Sequence, residues 1–141
     1  MKRDRSLPRY LGPTEPELHL SVANLLDWVL LAPAMYTTFP AGWGVLSPSL
    51  GQRLKRSGLK PGMPDIIVFY DGRCFGIELK ARNNGLSAEQ VAMFKRLKEA
   101  CIRVHVCRTI DDVMHVLRYE EVPLRRMFIG GADGAENRET G

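Results

Sequence analysis

Asp65-Ile66-Ile67-Val68-Phe69-Tyr70-Asp71-Gly72-Arg73-Cys74-Phe75-Gly76-Ile77-Glu78-Leu79-Lys80 decides the fold. Two runs rich in β-branched and aromatic residues flank Asp71-Gly72, a pair that accepts the positive φ of a tight hairpin turn. A turn centred there pairs Tyr70 with Arg73, Phe69 with Cys74 and, at the open end, Asp65 with Glu78. Directly opposed residues project from one face of a sheet, with Cβ atoms about 4.5–5.5 Å apart. Lys80, two residues beyond Glu78, joins that face. Ile66, Val68, Phe75, Ile77 and Leu79 point to one side, and Ile67 and Phe69 to the other. Apolar residues on both sides imply a sheet covered on both faces, hence an α/β layered domain.

Opposed like charges destabilise a sheet, more so among apolar neighbours that cannot solvate them. A divalent cation removes the conflict. Hard carboxylate oxygens suit Mg²⁺, which takes one or two carboxylates and keeps several waters. A lysine beside such a pair can orient water while the metal stabilises charge on a phosphate. The alternative is a solvated carboxylate at Asp65 and an edge ion pair between Glu78 and Lys80. The register, the apolar surroundings and the lead-in Gly62-Met63-Pro64 favour the metal site. Pro64 biases Met63 to extended backbone, and Gly62 permits close backbone approach.

Outward from the hairpin, Leu18, Val22, Leu25, Leu26 and Val29 recur at helical spacing from Glu15 to Leu31. Thr14 caps this helix and Pro33 ends it. Met35 to Phe39 reads as a first strand, and Gln52 to Gly58 as a short basic helix after a Gly/Pro/Ser-rich stretch. Ser87 opens a helix with Val91, Phe94 and Leu97 inward. Ile102, Val104 and Val106 alternate as a strand, and Thr109 caps a last helix bearing Val113, Val116 and Leu117. The expected division is a basic flexible N-terminus (1–13), one domain (14–120), and an extension (121–141) ending in a disordered Gly-rich tail.

The chain has 141 residues, 26% of them charged and 45% hydrophobic, the balance of one globular domain. No apolar run reaches the ~18 residues of a bilayer span, and no secretory signal follows the basic N-terminal residues. The expectation is no membrane association. Cys74, Cys101 and Cys107 lack metal-ligand spacing and read as reduced thiols in a cytoplasmic protein. A net charge of +4 permits a nucleic-acid partner without showing one.

Three segments together carry a resemblance. Gly58-Leu59-Lys60-Pro61-Gly62-Met63-Pro64-Asp65, then Glu78-Leu79-Lys80-Ala81, then Leu86-Ser87-Ala88-Glu89-Gln90 resemble the PD-(D/E)xK signature as it occurs in stand-alone VRR-NUC (virus-type replication–repair nuclease) domains. The similarity runs from about Thr14 to Leu117. It implies a restriction-endonuclease-like core in the order αβββαβ, a mixed sheet flanked by helices. It implies Mg²⁺-dependent hydrolysis of DNA phosphodiesters, with Mn²⁺ as substitute, on branched structures such as Holliday junctions, in DNA repair or recombination, by a homodimer. By this resemblance Asp65 and Glu78 are metal ligands with the Leu79 carbonyl, Lys80 is the catalytic lysine, and Gln90 matches the glutamine of the following helix. Gln90 also fits a capping box with Ser87. The first-helix acid is Glu15 or Glu17. Glu17 has capping-box spacing from Thr14, whereas Glu15 projects with Leu18 and Val22, so Glu15 is preferred. His19 is placed beside the site without a general-base role.

Arg53, Lys55, Arg56, Lys60 and Arg82 flank these motifs and are the expected phosphate contacts. Lys95, Arg96 and Lys98 fit a solvated face as well as a binding one. Trp43 is read either as a stacking residue for an unpaired base or as packing at a dimer interface or the core. The competing functions are a non-catalytic nucleic-acid-binding module retaining the fold, an assembly accessory, and a restriction-type enzyme.

Overall fold

The computed structural model describes residues 11–39 and 47–126; Trp43, the basic segment 1–10 and the tail from residue 127 lie outside the described residues. In order, the elements are α1 (Glu15–Val29), β1 (Met35–Thr38), α2 (Pro48–Arg56), β2 (Ile66–Tyr70), β3 (Arg73–Leu79), α3 (Ala88–Glu99), β4 (Val104–Cys107) and α4 (Ile110–Tyr119). The sheet order is β1-β2-β3-β4. The first three strands are antiparallel, and β4 runs parallel to β3 after the α3 crossover.

The β2–β3 register is the one the Asp-Gly turn dictates, with Tyr70 opposite Arg73 and Ile66 opposite Ile77. Asp71 and Gly72 both have positive φ, at 52° and 70°. One face of the sheet carries Ile66, Val68, Phe75, Ile77, Leu79 and Cys107. They form one core with Leu18, Val22, Leu26 and Val29 of α1 and Val113, Met114, Val116 and Leu117 of α4. Val122 joins this core, and Leu30 bridges to Leu124, so the packed unit continues past α4.

The opposite face holds Ile67, Gly76 and, by alternation, Asp65, Glu78 and Lys80. Its covering is partial among the described residues. Ile67 is buried, while Met35, Phe69 and Val106 stay exposed. Two helices differ from the sequence reading. α2 starts at Pro48 rather than near Gln52, because Ser47 caps it and Pro48 takes the first helical position. In α3 the buried residue is Met93, and Val91 is exposed. Residues 91, 94 and 97 drift around a helix, whereas Gln90, Met93, Phe94 and Leu97 hold the i, i+3, i+4, i+7 stripe.

Candidate active site and metal centre

Three charged residues are buried among those described: Glu78, Lys80 and Glu120. Two of them belong to the open end of the β2–β3 hairpin. Asp65, one residue ahead of β2, accepts at Oδ2 from the Leu79 amide (2.8 Å), and its own amide donates to Glu78 Oε2 (3.3 Å). The backbone of each strand thus fixes the carboxylate of the other. Lys80 Nζ stands 3.4 Å from Glu78 Oε1, and its amide donates to the Cys107 carbonyl, extending the ladder onto β4.

The glycine and proline before Asp65 set this geometry. Gly62 has a φ of +79°, and a Cβ there would stand 2.3 Å from the Glu89 carbonyl oxygen. Only glycine lets the loop lie so close to the start of α3. Pro64 fits over Gly76, whose own Cβ would come within 2.7 Å of Pro64 Cγ. A glycine inside a strand, as at Gly76, is the sequence signal for such an approach.

Gln90 has two partners through its one side-chain amide. Its Oε1 accepts from the Ser87 amide, closing the α3 capping box, and its Nε2 donates to Glu78 Oε1. Glu17 is engaged in the α1 capping box through the Thr14 amide and hydroxyl. Glu15 is half-buried and accepts from Asn84 Nδ2 at 3.0 Å. Its charge is near enough to Asp65 to oppose ionisation there, whereas those of His19 and Lys80 favour it.

Burial is the main force on both carboxyls. It raises the Asp65 pKa against the hydrogen bond from Leu79. It pushes Glu78 up to about 7, aided by the charge of Asp65 and opposed by Lys80. The pair is therefore short of positive charge. The oxygens that meet here are those of the two carboxylates, hard donors, with Glu15 and His19 close enough for their charges to act on Asp65. No cluster of three or more His, Cys, Asp or Glu ligands exists among the described residues. A carboxylate pair of this kind fits an ion that retains several waters, as Mg²⁺ and Mn²⁺ do.

The expected phosphate contacts divide by place. Arg53, Lys55 and Arg56 occupy the last turn of α2, which buries no residue. They and Lys60 are exposed. Arg82 is exposed in the turn after β3 with φ +54°, and its charge reaches Glu17. Phe39, Met63, Pro64, Asp65, Glu89 and Gln90 line a cavity of about 160 Å³ beside the carboxylates. No described helix is long and apolar enough to cross a membrane.

No protein-family model matches the chain, and no curated protein matches it. A solved structure described as a "VRR_NUC domain protein" superposes with a TM-score of 0.56 at 24% identity, over 76% of this chain and 87% of that one. With its mixed four-stranded sheet between helices, the chain has the α/β fold of that VRR_NUC domain protein.

Proposed function

We propose that this chain is a divalent-metal-dependent DNA endonuclease that hydrolyses phosphodiester bonds in branched or junction DNA. The observation that carries the reading is the Asp65–Glu78 apposition. A buried carboxylate, Glu78, and a half-buried one, Asp65, are held together by reciprocal backbone hydrogen bonds, with an ammonium group 3.4 Å from Glu78. Purely structural strands avoid opposing like charges in a low-dielectric setting.

Asp65, Glu78 and the Leu79 carbonyl would hold Mg²⁺ or Mn²⁺, with Glu15 as the further acid. When bound, the ion supplies Lewis-acid stabilisation of charge on the scissile phosphate. Lys80 orients the attacking water and favours its loss of a proton by electrostatics. Gln90 keeps the Glu78 carboxylate turned to the centre by holding Oε1. Arg53, Lys55, Arg56, Lys60 and Arg82 neutralise flanking phosphates, so binding weakens steeply with salt. The preference for junctions and the homodimer belong to the proposal. Exposed Met35 and Phe69, paired across β1 and β2, supply apolar surface for a second copy, and two sites related by a two-fold axis match the symmetry of a four-way junction.

The test is cleavage of end-labelled single strands, duplexes, flaps and four-way junctions with Mg²⁺, Mn²⁺ or EDTA. Asp65→Ala and Glu78→Ala should abolish cutting and weaken metal binding. Lys80→Ala should lower kcat and leave DNA affinity nearly intact. Salt-sensitive binding without cutting of any substrate would favour a non-catalytic binding module.

A further inference from the structure

The turn after Lys80 is tied down from two directions by residues outside all three motifs. Arg108 stands between β4 and α4. Its Nη1 donates to the Arg82 carbonyl and its Nη2 to the Asn84 carbonyl, both at 2.9 Å. The turn is closed on itself by the Asn84 amide, which donates to the Ala81 carbonyl at 3.1 Å. Arg82 keeps its positive φ of 54° inside this clamp. Asn84 then extends its side-chain amide 3.0 Å to Glu15 Oε1, at the first turn of α1. A planar guanidinium that grips two carbonyls is a rigid support, which lysine cannot reproduce.

Glu15 needs such a support. It sits on a helix end with a long flexible side chain, and its charge opposes that of Asp65. Left alone, repulsion would swing the carboxylate out to water. With Oε1 held by Asn84, the carboxylate keeps one orientation.

We propose that Asn84 and Arg108 are positioning residues for the metal centre. In this reading Arg108 fixes the turn at 82–84, the turn fixes Asn84, and Asn84 holds the Glu15 carboxylate beside the Asp65–Glu78 pair. The proposal rests on the metal-dependent reading above. Hydrogen-bonded supports of metal ligands typically contribute 10–100-fold to metal affinity, and Asn84→Ala removes this one without touching the core, since Asn84 is exposed.

The experiment measures Mn²⁺ binding by electron paramagnetic resonance on the full chain, with melting temperature recorded for each variant. Asn84→Ala should weaken Mn²⁺ about 10-fold with the melting temperature nearly unchanged. Arg108→Lys should show the same loss, because one ammonium cannot bridge both carbonyls. The double variant should bind no worse than either single one, as expected of residues acting in series. Asp65→Ala separates the two levels of inference. Loss of Mn²⁺ in Asp65→Ala with wild-type affinity in a folded Asn84→Ala overturns the brace alone. Wild-type affinity in both overturns the metal centre and the brace with it.

Discussion

At the scale of single residues, the site depends on side chains with two partners. Gln90 is the clearest, because one amide group both caps α3 and holds Glu78. Gln90→Glu separates the two functions. The new carboxylate can still accept from the Ser87 amide, but it loses the donor and sets a third negative charge against Glu78. We expect helix content by circular dichroism to be unchanged and cleavage to fall roughly 10–100-fold. Unchanged cleavage would reduce Gln90 to a cap. The sequence left these two functions as alternatives, since capping-box spacing and the inward stripe of α3 both include position 90. The choice between Glu15 and Glu17 was better defined from sequence, because only one of them shares the phase of Leu18 and Val22. The structure shows Glu17 engaged with Thr14 and Glu15 with Asn84. Asn84 and Arg108 were not legible, because a side chain meeting the backbone of a turn 24 residues away leaves no periodic trace.

At the scale of elements, the hairpin was legible to the residue, because a two-residue Asp-Gly turn leaves one register. The helices were less so. α2 has no buried residue, so no apolar stripe announced where it begins. The close approach of the 58–64 loop to α3 is the element-level contact on which Asp65 depends. Gly62→Ala must both adopt a positive φ and push the Glu89 carbonyl away from 2.3 Å. The expected cost is roughly 2–4 kcal/mol in urea unfolding. Cleavage should fall even where the fold persists, since Pro64, Asp65 and Gln90 shift together. A variant of wild-type stability would mean the loop has room to move.

At the scale of the whole molecule, a second buried acid does the opposite of the site. Glu120, the C-cap of α4, takes Arg73 Nη1 at 2.8 Å, Arg103 Nη2 at 2.6 Å and His105 Nε2 at 2.7 Å. Arg73 also donates to its carbonyl. The Arg103 guanidinium, then His105, hold its carboxyl down to about 2 against an ordinary 4.5. A folded pKa below the unfolded one stabilises fully above about pH 4.5 and progressively less as pH falls towards 2. Urea midpoints should therefore drop across that window. Glu120→Gln should flatten this drop and cost about 2–3 kcal/mol at pH 7, as its arginine partners are partly exposed and can hydrate. An unaltered acid profile would place the sensitivity elsewhere.

Asp65 and Glu78 repel where Glu120 attracts. Asp65→Asn keeps an acceptor for the Leu79 amide and removes the repulsion. In EDTA it should melt about 2–5 °C above wild type, and saturating Mn²⁺ should close the gap by stabilising only the wild-type chain. A lower melting temperature would mean the pair is not under strain. The consequence reaches beyond one molecule. Robustness and reactivity pull opposite ways at these two positions, as stability–activity trade-offs do elsewhere. In a lineage that no longer used the proposed cleavage, substitution would favour neutral residues there while the apolar core stayed intact, so the first mark of that loss would be a sturdier protein.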